Sequence, residues 1–101
     1  MAMRVLLQYL AGEVPEAERA DNVAALWAWV DDLAARPEHV LTVAVGEGVR
    51  VSADGVGPAA GSVFGVSVVD VADLDAATAL VRDWPELAYG GAVDARPELV
   101  R

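Results

Sequence analysis

The sequence predicts a two-layer α+β sandwich: one mainly antiparallel sheet with both helices on one of its faces. Three observations carry this. Residues 63–69 (Val-Phe-Gly-Val-Ser-Val-Val) form an uncharged strand that leads into an acid-capped helix. A Pro–Gly break (Pro85, Gly90, Gly91) then separates that helix from a further short strand, completing a β-α-β unit. An earlier β-α-β unit, punctuated by Pro15 and Pro37, precedes it. The order β-α-β-β-α-β with right-handed crossovers is that of a ferredoxin-like sandwich.

Each element has its own justification. In residues 4–10, Val5, Leu7 and Tyr9 alternate with Leu6, Gln8 and Leu10, as a strand requires. Gly12 ends it. Pro15 is preorganised for a first helical turn, and Glu16 and Glu18 sit near the positive end of the helix dipole. The helix runs to about residue 35. Val23, Leu26, Trp27, Val30, Leu33 and Ala34 recur at helical spacing as an inward stripe, with Asp31 and Asp32 away from it. Arg36-Pro37 stops it. Residues 39–45 form the second strand, and Gly46-Glu47-Gly48 turns it into a short continuation at 49–52. Residues 53–62, with an Asp-Gly pair, two more glycines and a proline, are expected to be turn and loop.

The third strand spans 63–71, with Val63, Gly65, Ser67 and Val69 on one face and Phe64, Val66 and Val68 on the other. Asp73 caps a second helix reaching 83, whose inward side is Leu74, Ala77, Leu80, Val81 and Trp84. Pro85 turns Trp84 out of helix. Residues 91–96 form the last strand, and 97–101 a tail that frays or packs on a neighbour.

A strand apolar on both faces expects cover on both. The two helices supply one cover. The second is expected from a twin chain in a two-fold homodimer. The 101 residues are expected to form one domain, 1–101. Seven basic against sixteen acidic residues give a net charge of −9, which disfavours nucleic acid and anionic membranes as partners. Mean hydropathy is +0.37, yet no run of about 18 apolar residues is present to span a bilayer. Without cysteine there is no disulfide framework and no thiolate metal site. The start of the chain lacks the features of a signal peptide, so a cytoplasmic protein is expected, with no cofactor implied.

Several stretches resemble the YCII-related (Asp-Gly-Pro-Phe-type) family. They are the Met3-Arg4-Val5-Leu6-Leu7 opening, Val14-Pro15-Glu16-Ala17-Glu18, and Val51-Ser52-Ala53-Asp54-Gly55. To these add Val68 through Ala77, Trp84-Pro85, Tyr89-Gly90-Gly91 and Val93-Asp94-Ala95-Arg96-Pro97. The resemblance implies a dimeric α+β barrel with a cleft between helices and sheet or at the dimer seam. Two departures matter. Asp54-Gly55 is followed by Val56-Gly57-Pro58, so the eponymous motif is broken. The branch for which catalysis is proposed pairs a first-helix His with an Asp near the proline after the second helix. Here Asn22 lies nearest the His position, and Asp83 is the residue that could stand for the Asp. The resemblance therefore carries no His–Asp acid–base pair to this chain.

His39 is the one histidine, so no site of two imidazoles forms within a chain. His39 and Asp83 are the candidates for a base; a strand-entry role for His39 is the simpler reading. Asp31 and Asp32 diverge by about 100° on a helix, and capping and the dipole account for Asp73 and Asp75. Gly46-x-Gly48 and Gly55-x-Gly57 lack the frame of a phosphate loop, and no serine sits in a nucleophile elbow. One constellation remains as a ligand site for a carboxylate or phenolate. Gln8, Asp94 and Arg96 on neighbouring strands are expected to converge near Asn22 or Tyr89, with Trp29 as a flat wall. Its bland counterpart is an Asp94–Arg96 ion pair, with Trp27 and Trp84 in the core. The preferred function is a homodimer binding a small organic acid or aromatic ligand without established catalysis. The alternatives are a small lyase, isomerase or dehalogenase, and a regulatory or accessory interaction dimer such as those associated with sigma-factor systems.

Overall fold

The computed structural model describes residues 3–101. Its elements are β1 (Met3–Leu10), α1 (Arg19–Ala34), β2 (His39–Ala44), β3 (Val49–Ser52), β4 (Gly55–Pro58), β5 (Val63–Val71), α2 (Leu74–Val81) and β6 (Ala92–Pro97). Short 3₁₀ turns, Glu16–Glu18 and Pro85–Tyr89, lead into α1 and link α2 to β6. The main sheet has the order β2-β5-β1-β6 with every neighbouring pair antiparallel. This is the ferredoxin-like sandwich, each β-α-β unit split by a strand from the other.

One core joins the layers. Val5, Leu7 and Tyr9 of β1 and Val69 and Val71 of β5 meet Leu33 of α1, Ala77 and Val81 of α2, and Trp84. Helix α2 starts where its cap dictates: Asp73 Oδ1 accepts the Ala76 N–H at 2.8 Å. It ends at Val81, two residues short of expectation, because the chain must leave helical geometry before Pro85. Leu74, expected inside, is exposed.

Three departures from the sequence reading are physically informative. Residues 53–62 are not all loop, since β4 pairs with β3 as a separate two-stranded ribbon turned at Ala53-Asp54. Gly55 takes φ +123°, a conformation open to glycine, and Gly-Val-Gly-Pro carries no alternation by which a strand could be recognised. The second departure is a bulge in β5. Tyr9 pairs with Gly65 but Leu10 pairs with Val63, so Phe64 is left over and swings to the helix side, 5.8 Å from the Trp84 ring. Phe64 therefore lies with Gly65, Ser67 and Val69, not opposite them.

The third departure is the roll of α1. Its inward line is Asn22, Leu26, Trp29 and Leu33, at spacings of four, three and four, rather than the purely apolar stripe. Trp29 packs edge-on against Tyr9 at 5.9 Å. Trp27, expected in the core, is 55% exposed and Val23 50%. The helix gives its most buried position near the N-terminus to an asparagine because that side chain has a buried partner.

Candidate functional site

The roll of α1 leaves a void. Beneath the helix the sheet offers only small side chains, Thr42 and Ala44 on β2 and Gly65 on β5, while Val23, Leu26, Trp27 and Val30 form the roof. Tyr9, Phe64 and Trp84 complete the wall of a cavity of about 190 Å³. Gly65 keeps the floor low. A Cβ there would come within 3.3 Å of the Tyr9 ring and 3.4 Å of the Val43 carbonyl. The mouth lies beside the exposed Val23 and Trp27.

Two of the lining residues carry hydroxyls, and both belong to one hydrogen-bonded row. Tyr9 Oη lies 2.7 Å from Ser67 Oγ, Ser67 Oγ lies 2.7 Å from Thr42 Oγ1, and Thr42 Oγ1 lies 2.8 Å from His39 Nε2. Ser67 is wholly buried and His39 half-buried, so the row passes from the core to the surface. Burial pushes the Tyr9 phenol above its ordinary value of 10.0, partly opposed by the Ser67 hydrogen bond.

A second polar cluster sits at the other end of α1. Asn22 Nδ2–H donates to Glu86 Oε1 at 2.7 Å, and the Gly12 N–H donates to Glu86 Oε2 at 2.8 Å. Pro85 starts the turn that delivers Glu86 inward. Gly12 is required by close approach: a Cβ there would strike the Tyr89 carbonyl and come within 2.6 Å of Gly91 N. Asn22 and Glu86 border an open groove with Glu16 and Arg19. No buried side-chain nitrogen or oxygen among the described residues lacks a partner.

The expected ligand residues separate onto two sides of the sheet. Gln8, Asp94 and Arg96 do meet: Arg96 Nε–H donates to Gln8 Oε1 at 2.8 Å and Arg96 Nη2 lies 3.8 Å from Asp94 Oδ2. They do so on the helix-free face, because Gln8 alternates with Leu7 and Tyr9, which point to the helices. Asn22, Trp29 and Tyr89 lie on the helix side, so the six do not converge. Trp29 Nε1–H donates to Asp83 Oδ1 at 2.9 Å, and Tyr89 Oη donates to Glu18 Oε1 at 3.2 Å. Asp83, a candidate base, is thus an exposed acceptor for Trp29 rather than a partner of Asn22.

Comparison with protein-family models matches the YCII-related domain over residues 1–97. The chain belongs to the YCII-related family. A search of curated proteins finds no match. In this YCII-related protein Asn22, which the resemblance leads one to expect nearest the family histidine, has Glu86 as its partner, three residues beyond Asp83. An amide does not titrate, so the pair holds α1 in place and has no imidazole to relay a proton. Among the described residues no three of His, Cys, Asp and Glu cluster as ligands of a metal would, and no helix is long and apolar enough to cross a membrane.

Sequence reasoning missed Glu86, Tyr9, Ser67 and Thr42 as site residues. The usable signal was a lone hydroxyl in each of two valine-rich strands. Their pairing, Thr42 opposite Ser67, depends on a register that the sequence leaves open.

Proposed function

We propose that this YCII-related protein is a cytoplasmic homodimer that binds a compact, single-ring aromatic or alicyclic molecule in the cavity beneath α1, without catalysis of the His–Asp kind. The cavity carries this reading. Its wall is almost wholly hydrocarbon, and a cavity of about 150 Å³ elsewhere is known to take one benzene ring, against about 190 Å³ here. The aromatic ligand is favoured over the organic acid because Arg96, the natural carboxylate binder, is engaged by Gln8 on the opposite side of the sheet.

Pairing is supported by the helix-free face. Leu6 and Leu10 of β1, Leu41 and Val43 of β2, and Val63, Val66 and Val68 of β5 share it. Leu41 and Val43 remain 43% and 49% exposed in the single chain. A contiguous apolar surface of this kind is an interaction site, and a twin's identical face matches it in shape and polarity.

A thermal-shift experiment tests the ligand site. Toluene and phenol at tenfold their Kd should raise Tm by about 7 °C, while benzoate should not. Ala44→Leu, which fills the cavity, should abolish the rise. No response to any neutral ring, or a response that survives Ala44→Leu, removes the proposed site and leaves an interaction dimer as the better reading.

A further inference from the structure

The hydroxyl row has a proton count that constrains what the cavity accepts. Tyr9, Ser67 and Thr42 carry one hydroxyl proton each, and the row contains three hydrogen bonds: Tyr9–Ser67, Ser67–Thr42 and Thr42–His39. If His39 Nε2 accepts, all three protons point outward, Tyr9 to Ser67 to Thr42 to His39, and every donor is used inside the protein. If Nε2 carries a proton instead, the imidazole fills the last bond itself. Four protons then compete for three bonds, and one hydroxyl must donate elsewhere.

That surplus has few places to go. Ser67 is wholly buried and does not line the cavity, whereas Tyr9 and Thr42 both do. Tyr9 Oη makes no other side-chain hydrogen bond among the described residues. The extra O–H therefore emerges into the cavity at Tyr9 or at Thr42, where the remaining wall is hydrocarbon.

We propose that the row Tyr9–Ser67–Thr42–His39 is the polar reader of the cavity, and that it selects ring compounds bearing a carbonyl, reversing its sense to donate to the carbonyl while His39 adopts the Nε2–H form. A purely hydrocarbon ring leaves the outward sense undisturbed. A carbonyl placed against the outward row would face oxygen lone pairs with no donor; reversal supplies one when the hydroxyls turn about their C–O bonds and the half-buried imidazole exchanges with water, losing its Nδ1 proton as Nε2 gains one. The tautomer of a half-exposed histidine thus reports what occupies a cavity that the imidazole itself does not line. This rests on the reading of the cavity as the ligand site.

The test uses the whole protein with ¹⁵N-labelled histidine and two probes of similar shape, acetophenone and ethylbenzene. Measurement at one pH of about 8, above the ordinary imidazole value, holds the proton activity of the solution fixed between samples. It also keeps the charge of Arg36 and Glu38, which flank the strand entry, and of Asp70, which is hydrogen-bonded to the Glu38 carbonyl, constant between samples. Unliganded protein and the ethylbenzene complex should show Nε2 as the unprotonated nitrogen. Acetophenone should move the proton to Nε2. Thr42→Val disconnects the imidazole, so acetophenone should still raise Tm but leave the histidine spectrum unchanged. Tyr9→Phe should weaken acetophenone at least tenfold relative to ethylbenzene if the donor emerges at Tyr9, and Thr42→Val should do so if it emerges at Thr42. Acetophenone binding with no tautomer change in the unsubstituted protein, or the same change in Thr42→Val, overturns the inference while leaving the cavity a ligand site. A Tm that neither probe moves overturns the ligand site itself, and the inference with it.

Discussion

Asn22 decides more than its size suggests. Buried at the start of α1 and bonded to Glu86, it sets which side of the helix faces the sheet. Removing it leaves the Glu86 carboxylate, already taken out of water, with only the Gly12 N–H as donor. Asn22→Ala should cost about 2 kcal/mol in urea denaturation, the penalty of a buried acceptor left unpaired; a loss below about 0.5 kcal/mol would show that water replaces the amide. Tyr9 makes a different kind of prediction. Its phenol is held above 10.0 by burial in the folded chain, so the native state keeps a proton that the unfolded chain gives up. Stability should hold steady below pH 10.0 on this account and fall as pH rises further through the native value. Urea melts of Tyr9→Phe against the unsubstituted protein isolate the effect: the phenylalanine variant should lose less stability over that alkaline range.

At the scale of elements, the two helices are specified in opposite ways. Helix α2 is specified locally, by Asp73 at its cap and Pro85 beyond its end. Asp73→Ala should destabilise the fold by about 1 kcal/mol, read by thermal or urea unfolding, with Asp73→Ser restoring most of it; equal losses in both variants would mean that the cap is not the cause. Helix α1 is specified by its neighbours. Its apolar residues cover more than one flank, so hydrophobic periodicity alone permits several rolls, and the Asn22–Glu86 bond with the Trp29–Tyr9 contact selects one. The unselected flank, Val23 and Trp27, becomes the lip of the cavity. The β3–β4 ribbon buries none of its residues and stands apart from this competition.

At the scale of the whole molecule, the sandwich is covered on one side only. Strand β5 buries Gly65, Ser67, Val69 and Val71 under the helices and turns Val66 and Val68 to the other side. A partner copy covering that side would bury about 800 Å² per chain in a contact of ordinary size. Light scattering should therefore give about twice the 10.5 kDa chain mass. Val66→Glu should return the mass to that of one chain, since a carboxylate facing its own symmetry mate cannot be desolvated. A single-chain mass for the unsubstituted protein at tens of micromolar would remove the homodimer.

Much of this was legible in local sequence. The alternation of residues 4–10, the uncharged run in β5, the Asp73 cap and the proline stops follow from period and backbone chemistry, and they suffice for the order of the two helices and the four main-sheet strands and for the ferredoxin-like sandwich, but not for the β3–β4 ribbon. The family resemblance was legible for the same reason, being carried by short contiguous stretches. What only the tertiary structure decided are relations between distant residues: the β5 bulge that turns Phe64 inward, the register that sets Thr42 against Ser67, the burial of Glu86 against Asn22, and the sheet face on which Gln8 and Arg96 meet. None has a local signature. Each is a choice among arrangements of nearly equal local energy, settled when polar groups leaving water must find a partner in the same place.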